Sequence, residues 1–111
     1  MVKERFLEYE GVLTIPDTNM NELTYILGNY KEDYEFNLTK YLKENQGKRI
    51  ALVINKYGKD IFNEDGIVEV ISEVLMVNGK DVSNALWNNN KRKLSILIDT
   101  APDAENMEEE S

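Results

Sequence analysis

The segment that most constrains the fold covers residues 37–55 and reads NLTKYLKENQGKRIALVIN. Asn37 is a favourable helix N-cap, because its side-chain oxygen can accept a hydrogen bond from an otherwise unpaired amide of the first turn. The apolar residues that follow recur at helical spacing, and Gly47 ends the helix because glycine adopts the left-handed conformation at low cost. Residues 50–54 are apolar on both faces of a strand, a pattern that predicts an inner strand of a sheet.

Two further strands are predicted from period-2 alternation of apolar and polar residues, one near each end of the chain. The first covers residues 5–15, where Gly11 interrupts the apolar face and indicates a bulge or a close backbone approach. The second covers residues 93–99, with apolar side chains at every other position. Both patterns are typical of strands with one buried face.

One further helix and one single helical turn are predicted besides the central helix. Asn19, with a glutamate three residues later, resembles a capping box, and Ile26 and Leu27 fall on the apolar face of the helix that it would begin. Gly28 would end this helix. A single helical turn is predicted that either Asp81 or Ser83 can cap.

The remaining segments are predicted to be turns and one long strand. Tyr57-Gly58 and residues 63–66 contain turn signals. Residues 67–77 read as one strand that bends or bulges at Ser72. Asn78-Gly79 is a strong signal for a tight turn, because both central residues of a type I′ turn need positive φ.

The predicted fold is therefore α+β: a small, strongly bent antiparallel or mixed sheet of four to five strands, barrel-like, with two short helices. Residues 1–99 form a single domain, and residues 100–111 form a disordered acidic tail. The net charge is −8, and six of these charges come from acidic residues at position 99 and beyond, which leaves −2 for residues 1–98. A nearly balanced domain argues against imitation of a DNA surface by the whole protein.

The residue types exclude several kinds of chemistry. The chain has no histidine and no cysteine, so it lacks the commonest acid–base group and the commonest thiol nucleophile. The three Gly-Lys pairs lack the second glycine and the following Ser or Thr of a phosphate-binding loop. Residues 61–72 lack carboxylates at the first and twelfth positions of a calcium loop. We therefore predict no enzyme activity, no cofactor and no metal site.

The sequence also predicts the cellular location of the protein. No apolar run approaches the roughly 20 residues that cross a bilayer. Charged residues occupy the N-terminal positions where a secretion signal would place its apolar region. These features predict a soluble, cytoplasmic protein with no membrane partner.

The leading functional hypothesis is a non-catalytic protein-binding module, a small intracellular adaptor or inhibitor. Proteins of this length and composition are similar in general character to phage and mobile-element accessory proteins that act on host proteins. Tyrosines among charged residues are a common interface composition. The predicted binding residues are aromatics, expected to be exposed, and the acids beside them: Tyr30, Glu32, Asp33, Tyr34 and Phe36.

The alternative hypothesis is a single-strand nucleic-acid-binding barrel whose acidic tail competes for the binding groove. Bases stack on aromatic side chains and phosphates pair with cations. The predicted binding residues are two basic clusters with nearby aromatics: Lys40, Lys43, Lys48, Arg49, Tyr57, Trp87, Lys91, Arg92 and Lys93. Against this, the domain is not basic overall, and Trp87 could instead plug the sheet.

Overall fold

The computed structural model describes residues 5–15, 24–29 and 31–102. Strands account for 57% of these residues and form one open antiparallel sheet. In chain order, the elements are β1 (Phe6–Thr14), β2 (Ile26–Asn29), β3 (Tyr34–Asn37), α1 (Leu38–Glu44), β4 (Arg49–Lys56), β5 (Lys59–Ile71), β6 (Val74–Val77), β7 (Lys80–Asp81), α2 (Val82–Leu86) and β8 (Lys93–Asp99). A single 3-10 turn, Trp87–Asn89, follows α2. The strand order is β3-β2-β1-β8-β4-β5-β6-β7.

The predicted sheet of four to five strands with a barrel-like form is therefore wrong, since the sheet has eight strands and is open. Two of the extra strands, β2 and β7, are short, with four and two residues, and a third, β6, comes from the division of the strand predicted over residues 67–77. Segments this short show too little alternation to be recognised, and pairing with longer neighbours determines their structure.

The helix and the strand of the central segment form as predicted, except that Gly47 does not end the helix. Asn37 Oδ1 accepts a hydrogen bond from the Lys40 amide at 3.0 Å, which begins α1. α1 ends at Glu44 with Asn45 as its C-cap, and Gly47, with a left-handed φ of 84°, lies in the turn that follows. β4 lies between β8 and β5, so it is an inner strand, and its buried side chains alternate along its length.

The helix predicted from Asn19 is wrong where it can be compared. Residues 16–23 lie outside the described residues, but Ile26 and Leu27 belong to strand β2. Leu27 is fully buried and pairs with Leu13 of β1. The pairing of β2 with β1 overrides the helical spacing of the apolar residues.

The segment between β4 and α2 differs from the prediction in two places. Ser72 and Glu73 have φ values of 50° and 67° and form a hairpin turn, so residues 67–77 are two strands and not one. Residues 63–66 lie inside β5 and do not form a turn. Gly66 is needed there because a Cβ atom would lie 2.5 Å from the Asn78 Cβ.

The core lies on one face of the sheet and is covered by the two helices. Buried side chains on the inner strands alternate with outward-facing ones, and α1 and α2 add further apolar residues. The fully buried residues of strands β1, β4 and β8 and of the two helices include Leu13, Leu38, Leu42, Ile50, Leu52, Ile54, Val82, Leu86, Leu94, Ile96 and Ile98. Among the described residues, no helix covers the opposite face, which we call the outer face.

Candidate functional site

The candidate site is a groove that begins where β2 separates from β1. β2 pairs with β1 only from Val12 to Thr14. A Cβ atom on Gly11 would lie 2.1 Å from the Gly28 carbonyl oxygen. Gly11 therefore permits the close backbone approach that its position in the apolar pattern predicted, and β2 crosses β1 at this point.

Aromatic packing fixes the position of the β2–β3 hairpin beyond this crossing. The Phe36 ring stacks on the Tyr9 ring with a centroid distance of 4.0 Å, and the Tyr34 ring lies 5.7 Å from Tyr9. Such contacts add roughly 0.5–1.5 kcal/mol to the effect of buried area. The hairpin is thereby held against the core side of β1.

The Tyr34 hydroxyl forms hydrogen bonds with both backbone polar groups of Glu10. It accepts a hydrogen bond from the Glu10 amide and donates one to the Glu10 carbonyl oxygen, each at 2.7 Å. One side chain thus satisfies both groups that a neighbouring strand would bind at this position.

The edge of β1 from Glu8 to Phe6, on the side away from β8, has no neighbouring strand among the described residues. Hydrogen bonds from the Leu13 amide to the Arg92 carbonyl and from the Thr100 amide to the Arg5 carbonyl direct the odd-numbered residues of β1 toward β8. The even-numbered residues therefore direct their backbone groups to the other side. No described strand pairs there with Phe6 or Glu8.

The outer face beside this edge forms the floor of the groove. One row of side chains on this face runs across three strands. It consists of Glu8 on β1, its partner Leu97 on β8, and Val53 on β4, which pairs with Leu97 from the other side. The next row consists of Glu10, Ser95 and Asn55. The groove encloses about 620 Å³, and Asn29, Glu32 and Tyr34 from the β2–β3 hairpin line its other side.

The groove is acidic, and its carboxylates differ in their partners. Glu10 binds the Lys93 Nζ at 3.3 Å and accepts a hydrogen bond from the Ser95 hydroxyl at 3.4 Å. No described cation forms an ion pair with Glu8 or Glu32. The described residues also contain no cluster of three or more Asp or Glu side chains that could hold a metal ion.

The predicted protein-binding residues fall partly in this groove. Glu32 and Tyr34 line it, and Asp33 lines an adjoining hollow with Tyr34. The exposure expected of the aromatics is wrong for Tyr34 and Phe36, which are half-buried against Tyr9. Tyr30 lies outside the described residues.

The predicted nucleic-acid-binding residues are divided between two ends of the sheet. Arg49 begins β4, whereas the register of Asn55 with Ser95 places Lys93 beside the far end of that strand. Six residues of strand separate the two ends by about 20 Å. The side chains are placed as follows: Lys40 and Lys43 on α1, Lys48 just before β4 and Arg49 at its start, Tyr57 in the β4–β5 turn, Trp87 after α2, and Lys91 and Arg92 just before β8 with Lys93 at its start.

Several of these cationic side chains already form ion pairs with carboxylates of the chain. Lys43 binds Glu73 at 3.2 Å, and Arg49 binds Asp65 at 2.9 Å. Trp87 does not plug the sheet, since 57% of it is exposed, and Tyr57 is 77% exposed. The residues at the two ends thus form no single basic track across the described surface.

The groove residues from β1, β4 and β8 were not predicted as a site. The alternation of β1 does indicate that Glu8 and Glu10 face outward. The sequence contains no signal that β2 leaves β1 after Val12, and this separation is what creates the open edge.

Comparison with protein-family models, curated proteins and solved structures finds no match for this chain. No helix among the described residues has the length and apolar character needed to cross a membrane.

Proposed function

We propose that the protein is a non-catalytic protein-binding module, a cytoplasmic adaptor or inhibitor that receives an extended segment of another protein as an added strand along β1. The observation that carries this proposal is the outward-facing backbone of Phe6 and Glu8 beside the acidic groove. Main-chain hydrogen bonds supply affinity in such complexes, and neighbouring pockets supply specificity.

The groove supports this proposal by its shape and composition. Its volume of about 620 Å³ is within the range of ligand-binding clefts. Its floor combines the half-buried apolar side chains of Val53 and Leu97 with hydroxyl and amide groups. An extended segment that lies along β1 would direct alternate side chains over this floor.

Pairing of this edge with a second copy of the chain is disfavoured in one register. If two β1 strands paired antiparallel about Glu8, the two Glu8 side chains would lie directly opposite each other on the outer face. Like charges at opposite positions are destabilising.

The test compares two substitutions of the same residue. Glu8→Pro removes the outward amide, and the hydrogen bonds between β1 and β8 remain because they use the odd-numbered residues. Glu8→Ala removes the carboxylate but keeps the amide. Affinity capture from the native cell, with quantification of each recovered protein, should give a partner that the wild type binds and Glu8→Pro loses to a greater extent than Glu8→Ala.

Circular dichroism should show that both variants retain the fold. Equal recovery of every partner by Glu8→Pro and Glu8→Ala would show that the β1 edge does not carry the binding, and the proposal would then fail.

A further inference from the structure

We infer that the segment bound along β1 is short, with a lysine or arginine opposite Glu8 and apolar residues opposite Leu7 and Phe6. This inference rests on the proposed function and specifies the chemistry of its partner. It follows from the charge of the groove, the side chains that flank the edge and the position of Tyr34.

The charge of the groove determines the central residue. A partner residue opposite Glu8 on the outer face would have its Cβ about 5 Å from the Glu8 Cβ. Glu8 and Glu32 both line the groove and have no ion pair among the described residues. A cationic side chain at this position would compensate both carboxylates, whereas an acidic one would meet repulsion from each.

The side chain next to Glu8 on the open part of the edge determines the flanking residue. Leu7 points to the core face and is half-buried against the core. The partner residue opposite Leu7 would point to this same face, because side chains alternate along a strand. An apolar side chain there would extend the core at its edge. On the other side of Glu8, the Phe36 and Tyr34 rings already stack on Tyr9.

Tyr34 determines the length of the bound segment. Its hydroxyl already holds the amide and carbonyl of Glu10, so strand pairing extends from Glu8 toward Phe6 only. The Phe6 ring is 51% exposed and contacts the Arg5 guanidinium, whose carbon lies 4.8 Å from the ring centroid. An apolar partner residue opposite Phe6 would cover this ring.

A peptide-display selection tests the inference directly. A library of random eight-residue peptides would be selected on the immobilised full chain, on Glu8→Lys and on Glu69→Lys. Glu69 is an exposed glutamate on β5 outside the groove, so its reversal is a matched control for the change in net charge.

The wild type and the Glu69→Lys variant should enrich Lys and Arg next to apolar residues, and Glu8→Lys should enrich Asp and Glu instead. Peptides selected on the wild type should bind Glu8→Lys about five- to tenfold more weakly, as expected when an opposite-charge pair becomes a like-charge pair. Binding would be measured by fluorescence anisotropy of synthetic peptides.

The outcomes separate this inference from the proposed function. Selected peptides with the same charge on the wild type and on Glu8→Lys would overturn the inference alone, provided that Glu8→Pro still abolishes their binding. Failure to enrich any peptide, or equal binding to Glu8→Pro and the wild type, would overturn strand addition itself and the inference with it.

Discussion

Gly11 lies against the carbonyl group of Gly28 where β2 crosses β1, yet the structure predicts opposite effects for the same substitution at these two glycines. In Gly11→Ala the new methyl group would lie 2.1 Å from the Gly28 carbonyl oxygen and 2.6 Å from its carbonyl carbon. In Gly28→Ala the nearest atoms lie 3.8 Å away, at ordinary contact distance. Because the clash at Gly11 involves backbone atoms, no change of rotamer can relieve it.

The expected magnitudes differ accordingly. Overpacking of this kind costs typically about 1–3 kcal/mol, and we expect Gly11→Ala to reach the upper end. This corresponds to a fall in Tm of about 10 °C for a domain of this size. Gly28→Ala should leave the free energy of unfolding unchanged or raise it by up to about 1 kcal/mol, since alanine restricts the unfolded chain.

Urea and thermal unfolding followed by far-UV circular dichroism would measure both variants against the wild type. If Gly11→Ala were as stable as the wild type, β2 would not approach β1 as described. The wall of the groove formed by Tyr34 would then also be in doubt, because Tyr34 reaches Glu10 only through this crossing.

Three other substitutions test separate features by the same unfolding measurements. Asn37→Ala should lower the free energy of unfolding by about 1 kcal/mol through loss of the α1 cap; an unchanged value would contradict the capping role. Ser72→Gly should raise it by about 1 kcal/mol, because Ser72 holds a φ of 50° that glycine adopts without strain; a lower stability would contradict this. The Arg5 guanidinium, which forms hydrogen bonds of 2.8 and 2.9 Å to Asp99, holds the pKa of that carboxyl below its usual range. The pair therefore stabilises the fold above the unfolded-state pKa of about 3.9, and this stability is lost as the pH falls through the lower folded-state pKa. Asp99→Asn should thus destabilise the protein at pH 7 and match the wild type in strong acid; a deficit independent of pH would contradict the assignment.

The sequence predicts the long elements of this fold better than the short ones. Period-2 alternation over nine residues identifies β1, and the Asn37 cap with Gly47 identifies α1 and the start of β4. The Asn78-Gly79 turn is also confirmed, with φ values of 56° and 73°. These signals are local, so they do not depend on the rest of the chain.

The failures have long-range causes. Ile26 and Leu27 have helical spacing, but pairing with β1 and β3 makes them a strand. Serine is common in turns, and Ser72 indicated a bend, but neither Ser72 nor Glu73 is a residue that favours positive φ, so the hairpin between β5 and β6 has no strong sequence signature. Gly66 suggested a turn, whereas it is required by the approach of Asn78, a residue twelve positions away.

The same distinction applies to the candidate site. Composition singled out Glu32 and Tyr34, which line the groove, but it misjudged the exposure of the aromatic rings. Glu8, Val53 and Leu97 come together only through the register of β1, β8 and β4. Register between distant strands cannot be read from a single sequence.

The hydroxyl of Tyr34 has a consequence for solubility. An exposed strand edge is a template on which misfolded or neighbouring chains can add strands, which is the first step toward amyloid-like aggregation. Because Tyr34 fills both hydrogen-bonding groups of Glu10, it shortens that template to the segment near Phe6 and Glu8. The open edge is thereby short enough to limit fibril growth, and Tyr34→Phe should aggregate at lower protein concentration than the wild type.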